Sequence, residues 1–196
     1  MMKQRKQQHE LLRKITMLGL FTALTVVFGM IKIPVMGGTT VKMDLPVVVL
    51  GAVILGPLAG AWLTVIPTLI TFFTGEAALF MTYSPFGTLL TLFLKGVLAG
   101  LLAGLVYKAV AKKHPIGAVT CASIVAPVVN SGIFLLGCYV FIWEHLVELA
   151  EQNHVSMAVL LLGLVVINFV IELVMNLVLC PAVFRVIQIA TKNKHT

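Results

Sequence analysis

The sequence is poor in charge. Of its 196 residues only 11% are Asp, Glu, Lys or Arg, 60% are hydrophobic, and the mean hydropathy is +1.07. So little polar surface excludes a soluble, monomeric domain of this length. Aromatic residues are also few, at 8%, which counts against a site for a large flat ligand. The three cysteines, Cys121, Cys138 and Cys180, lie inside apolar runs. Their odd count and the lack of a CxxC pair argue against a disulfide framework. Neither GxxxxGK[ST] nor HExxH occurs, so P-loop ATP hydrolysis and this class of zinc chemistry are excluded. No histidine falls within an apolar run, which leaves no Ser-His dyad at membrane depth. Glu172 is the one carboxylate deep in an apolar run, so the acid pair of an intramembrane protease is missing too. The sequence reads as no enzyme, with no cofactor and no metal site; His145 and His154 are taken as residues of a solvated external loop.

Long apolar runs, of the length that crosses a bilayer, are what it does have. The basic-then-apolar start reads as a first membrane helix rather than a signal peptide, since the run is long and no small-x-small site ends it. Six spans are expected, near 12–33, 45–56, 58–73, 85–108, 117–142 and 157–188. The fold class is therefore an all-α integral membrane protein, a compact six-helix transmembrane bundle forming a single domain over 1–196. Positive charge orients it. With both termini cytoplasmic, the basic residues of segment 1–14, Lys108, Lys112 and Lys113, and Arg185, Lys192 and Lys194 face inside. Only Lys32 and Lys42 then face outside, as the positive-inside rule requires. Residues 1–11 and 189–196 become cytoplasmic ends. The net charge of +7 is thus a topology signal and needs no nucleic acid.

Two charges remain inside the runs, Lys95 and Glu172. Polar residues align with both. Ser84, Thr88, Thr91 and Lys95 follow one another at spacings of four, three and four, which puts them on one helix face. Asn168, Glu172 and Asn176 share a face at spacings of four, and Asn130 and Ser131 fall at similar depth in the fifth span. Three polar stripes in so apolar a chain predict a polar cavity, because such groups need either partners or a ligand. Two external loops above it, "PVMGGTTVKMD" (34–44) and "TGEAALFMTYSP" (74–85), carry glycines and hydroxyls suited to a lid. Thr39, Thr40 and Lys42 of the first, and Tyr83 of the second, join the candidate contacts.

Small residues mark helix interfaces. Gly96, Gly100 and Gly104 form a doubled GxxxG, and "GAVILGPLAGA" bends a short apolar segment tightly into the next. Together with "KMDLPVVVLGAVILGPLAGAWLTVIPTLITFF", with the size of the chain and with its six expected spans, this stretch resembles the substrate-binding S components of energy-coupling factor vitamin transporters. The resemblance covers essentially the whole chain and is most similar to the pantothenate branch. It implies a subunit of the bacterial plasma membrane that takes a small vitamin from outside. The vitamin would be delivered by toppling against a transmembrane T subunit, with two ATPase subunits supplying the energy. The family docks its T subunit through Ala-x-x-x-Ala in the first helix. Here the matching positions read Gly19-x-x-x-Ala23 or Ala23-x-x-x-Val27, and the second departs from the pattern.

Two other classes fit the residues. One is a stand-alone, proton-coupled secondary transporter with Glu172 as the proton carrier. The other is a structural subunit that binds no solute. Three reasons would account for Lys95: an ion pair with Glu172, an anchor for a ligand carboxylate, or snorkelling to the surface. The last is disfavoured, since Lys95 lies about ten residues, or ~15 Å, from either end of its helix.

Overall fold

The computed structural model describes residues 2–34, 40–75 and 77–192. Helix α1 (Met2–Met30) runs into a small antiparallel hairpin, β1 (Lys32–Pro34) and β2 (Thr40–Lys42), with Lys32 opposite Lys42. The rest is helical: α2 (Asp44–Leu55), α3 (Pro57–Phe73), α4 (Ala78–Tyr83), α5 (Pro85–Val110), α6 (Pro115–Phe141) and α7 (Trp143–Gln152). The final run comprises α8 (Met157–Leu161), a π-helical turn (Leu162–Val166) and α9 (Ile167–Lys192).

Among the described residues, four segments are long and apolar enough to cross a membrane: Gln7–Met30, Pro85–Val110, Pro115–Phe141 and Met157–Gln188. Helices α2 and α3 are apolar but shorter, at 12 and 17 residues. They coincide with the second and third expected spans, and both fall short of the ~20 residues of a full crossing.

Local signals in the sequence set the boundaries. Pro57, Pro85 and Pro115 sit in the first turns of α3, α5 and α6, where a missing N–H breaks no helical bond. Gly56 alone joins α2 to α3. Its φ of 107° lies in the left-handed region that a side chain disfavours, so the chain reverses in one residue. Ser84 caps α5 by accepting from the Gly87 amide at 3.3 Å, and Ser156 caps α8 from Val159 at 3.3 Å.

Helix α5 packs mainly against α6 and α3. Its doubled GxxxG has its partner within this chain. A Cβ on Gly60 would stand 2.5 Å from the Gly100 carbonyl oxygen, and one on Gly104 2.6 Å from Cα of Pro57. The two backbones approach as closely as only glycine permits. Leu45, Val49 and Val53 of α2 build one apolar cluster with Ala103, Val119, Ala122, Cys180 and Phe184. A second gathers Cys138, Ile142, Leu146, Leu164 and Val165, with Phe80, Phe134 and Phe141 packed against it.

Three segments differ from what the sequence led us to expect. The 34–44 connector holds the end of β1 and all of β2, with β1 beginning at Lys32 inside the expected first span, and its residues 35–39 lie outside the described ones. The 74–85 connector contains α4, and the stretch after the fifth span, expected as a solvated loop, is the amphipathic helix α7. Leu146 and Ala150 of α7 are buried while Glu144, Glu148 and Glu151 are exposed. Ten residues with one apolar edge gain enough burial to fold as a helix against the bundle.

Candidate functional site

A cavity of about 280 Å³ opens among α2, α3, α5, α6 and the π turn with α9. Residues of both apolar clusters line it, Leu45 from one and Cys138, Ile142, Leu164 and Val165 from the other. Its volume sits just below the roughly 300–1,000 Å³ usual for pockets that take drug-sized ligands, so it suits a small solute.

The charged groups converge from separate elements. Asp44 begins α2, Lys42 ends β2, Lys95 projects from the middle of α5 and Glu172 from α9, and all four line the cavity. The Glu172 carboxylate is held by amides. Asn130 Nδ2 of α6 donates to Oε2 at 3.0 Å, and Asn168 Nδ2, one turn earlier on α9, stands 3.5 Å from Oε1. One turn further, Asn176 is fully buried and donates to the Glu172 carbonyl at 2.8 Å. Cys180 then approaches Asn176 Oδ1 at 3.7 Å and the Pro46 carbonyl at 3.6 Å. The polar stripe read from the sequence of α9 is thus a ladder of i, i+4 contacts that ties Glu172 down into the core.

Lys95 is not part of that ladder. Its Nζ lies 5.1 Å from the centre of the Phe134 ring and makes neither a hydrogen bond nor an ion pair with any described residue. Glu172 and Asp44 attract it through space, and Lys42 repels it. A lysine charge over an aromatic face is favourable, but the ring satisfies none of its three N–H donors. Lys42, in contrast, donates to Thr71 Oγ1 and so ties β2 to the end of α3.

Of the sequence candidates, Lys42, Thr88, Thr91, Lys95, Asn130, Ser131, Asn168 and Glu172 line the cavity. Thr40 belongs to β2, opposite Pro34, and Thr39 lies outside the described residues. Two candidates are elsewhere. Ser84 is committed to capping α5, and Tyr83 stacks on His145 of α7 with ring centres 4.5 Å apart. Ser84 has the right spacing to Thr88, but the α4–α5 break falls there, and neither Ser84 nor Tyr83 lines the cavity.

Other lining residues escaped the sequence reading. Thr64, Thr68 and Thr71 of α3 form a wall at spacings of four and three, the same signal that marked α5. Asp44, which the sequence places in the external 34–44 loop, begins α2 and lines the cavity. Phe80, Phe134 and Phe141 also line the cavity, so the scarcity of aromatics in the composition misled about this one place. Glycines make room for these groups: Thr91 nests against Gly137, Phe141 against Gly87, and Thr64 and Thr68 against Gly96.

An apolar helical protein with a cavity of mixed polar and apolar lining, and a lysine there without a hydrogen bond among the described residues, is a membrane protein suited to hold a small solute. The family model described as ECF transporter, substrate-specific component matches residues 13–184, nearly the full chain. The chain belongs to this family: it is a transporter's substrate-binding subunit and not an enzyme. Membership implies a small-molecule substrate and T and ATPase subunits as partners. Neither a curated protein nor a solved structure matches the chain.

The candidate docking residues lie on α1. Gly19, Ala23 and Val27 are exposed there, and a Cβ on Gly19 would meet nothing within 4 Å. Leu12, Ile15, Leu20 and Leu24 are exposed on the same helix.

Proposed function

We propose that this subunit captures a small vitamin anion, pantothenate, from outside the bacterial plasma membrane. It then delivers the vitamin by toppling against a T subunit driven by two ATPases. In this reading the chain is a single six-helix bundle with both termini cytoplasmic, α2 and α3 serving as short second and third spans. The observation that carries the ligand assignment is Lys95: a cation lining the cavity that makes no hydrogen bond or ion pair among the described residues. A buried ammonium is costly to leave unpaired, and a ligand carboxylate supplies the partner. Pantothenate is a small anion with hydroxyls and an amide, which suits a cavity lined by Lys95, threonines and asparagines.

Docking falls to the exposed Gly19, Ala23 and Val27 edge of α1, where small residues allow close helix approach. The hairpin segment with Thr39, Thr40 and Lys42 serves as the outer lid, supported by the Lys42 contact to Thr71 beside the cavity. The test is native mass spectrometry of the gently purified protein, followed by titration with pantothenate. A co-purified pantothenate and saturable binding are expected. A different tightly held solute would overturn the vitamin's identity, and uptake abolished by collapsing the proton gradient alone would favour Glu172-linked secondary transport.

A further inference from the structure

The hydroxyls around the cavity differ in what they have left to offer. Thr64 Oγ1 donates to the Ala61 carbonyl at 2.7 Å, Thr68 Oγ1 to the Thr64 carbonyl at 2.7 Å, and Thr71 Oγ1 to the Pro67 carbonyl at 2.8 Å. A hydroxyl has one hydrogen, so each of these oxygens presents only lone pairs to the cavity. Thr71 already accepts from Lys42, which leaves Thr64 and Thr68 as open acceptors on α3. A third is Asn168 Oδ1, which is buried and has no hydrogen-bond partner among the described residues. A buried acceptor without a donor is destabilising unless something else fills it.

The α5 and α6 walls are the reverse. Thr88, Thr91 and Ser131 line the cavity, and their side chains make no hydrogen bond among the described residues. They keep their hydrogens, and Lys95 adds three more donors and no acceptor. Among the uncharged groups, then, α5 and α6 carry hydroxyls that still have a hydrogen to give, while Thr64 and Thr68 of α3 and Asn168 Oδ1 of α9 offer acceptors alone; the Asp44 and Glu172 carboxylates add acceptors on α2 and α9.

We propose that the cavity selects an organic acid that also carries hydroxyl or amide hydrogens. Its carboxylate faces Lys95, Thr88 and Thr91, and its O–H or N–H groups are read by Thr64, Thr68 and Asn168 Oδ1. This rests on the solute-binding reading above and adds two specificity residues, Thr64 and Thr68. A solute with a carboxylate but no donor leaves three acceptors unfilled. A neutral polyol leaves Lys95 unpaired. Sites built to hydrogen-bond a substrate hydroxyl reject analogues that lack it far more strongly than sites that merely enclose it.

The test is calorimetric titration of the purified, detergent-solubilised chain with three sets of matched probes. The first set holds hydroxylated amido and hydroxy acids, with pantothenate and pantoate among them. The second holds the same acids with the hydroxyls replaced by hydrogen. The third holds their uncharged alcohols, such as pantothenol. Binding is expected for the first set, at least tenfold tighter than for either other set. Thr64→Val and Thr68→Val keep the shape of the side chain and remove the acceptor. Each is expected to weaken hydroxylated acids about tenfold and leave deoxygenated acids unchanged, with Thr64→Ser and Thr68→Ser restoring the loss. Equal binding of deoxygenated acids, or preference for the alcohols, overturns the acceptor assignment while a solute-binding subunit stands. Binding by no probe of any set removes both readings.

Discussion

Asn130 of α6 donates its side-chain amide to the Glu172 carboxylate of α9 across 3.0 Å, while Lys95 of α5 bonds to neither. The two charges that the sequence places at similar depth are thus not a neutralising ion pair. One is held by asparagines from two helices, and the other is left facing the cavity. Buried ion pairs roughly break even against apolar replacements, so a pair alone would be weak reason to keep either charge.

The amide clamp leads to a stability prediction. Asn130→Leu removes the donor to Oε2 and leaves a buried carboxylate oxygen unpaired. A loss of about 1–3 kcal/mol is expected, read as a lowered Tm in detergent. Asn130→Asp adds a like charge beside Glu172 and is expected to lower it further. Unchanged unfolding in both variants would mean that the contact does not hold α6 to α9.

Glycine contacts predict which helix faces tolerate bulk. Gly100 meets Gly60 and Ala61 backbone atoms directly, whereas nothing lies within 4 Å of Gly19. Gly100→Val is expected to destabilise by about 1–3 kcal/mol through overpacking, measured by thermal unfolding. Gly19→Val is expected to leave unfolding unchanged.

The same open face carries the docking proposal. Gly19→Trp or Ala23→Trp blocks close helix approach, so solute binding to the isolated chain is expected to survive while uptake by the assembled complex fails. Uptake that survives both substitutions would move the docking face elsewhere.

Lys42 and Thr71 predict release kinetics. Thr71→Val keeps the shape of the wall and removes the acceptor for Lys42. Dissociation of bound solute is expected to quicken about tenfold, followed by stopped-flow or filter release. An unchanged rate would make the hairpin a plain connector.

Much of this was legible in the sequence, because the strongest signals are local. The apolar runs need only composition to be seen, and the stripes through Lys95 and Glu172 only periodicity. The threonine wall of α3 has the same spacing but carries no charge to draw attention, and threonine is common in apolar helices because its hydroxyl bonds back to the preceding turn, as Thr68 and Thr71 do. Whether Gly100 packs inside the chain or against a partner was not legible, since GxxxG specifies close approach and not the neighbour. Ser84 fits the stripe by spacing, but Pro85 starts a new helix and Ser84 becomes its cap, while Tyr83, taken from the loop before it, stacks on His145 instead.

The most direct test of the anion site compares solute binding by Lys95→Met alone with Lys95→Met combined with Glu172→Gln. Glutamine removes the negative charge and preserves one carbonyl oxygen for the Asn130 amide, while its NH2 replaces the oxygen that Asn168 reaches at 3.5 Å, so the shorter contact of the clamp is kept. If Lys95 anchors the solute's carboxylate, binding of pantothenate, or of whichever acid co-purifies, falls about a hundredfold in the single variant. It stays lost in the double variant, which still folds. Binding restored by the second substitution would show that Lys95 serves only to balance Glu172, and would contradict the account.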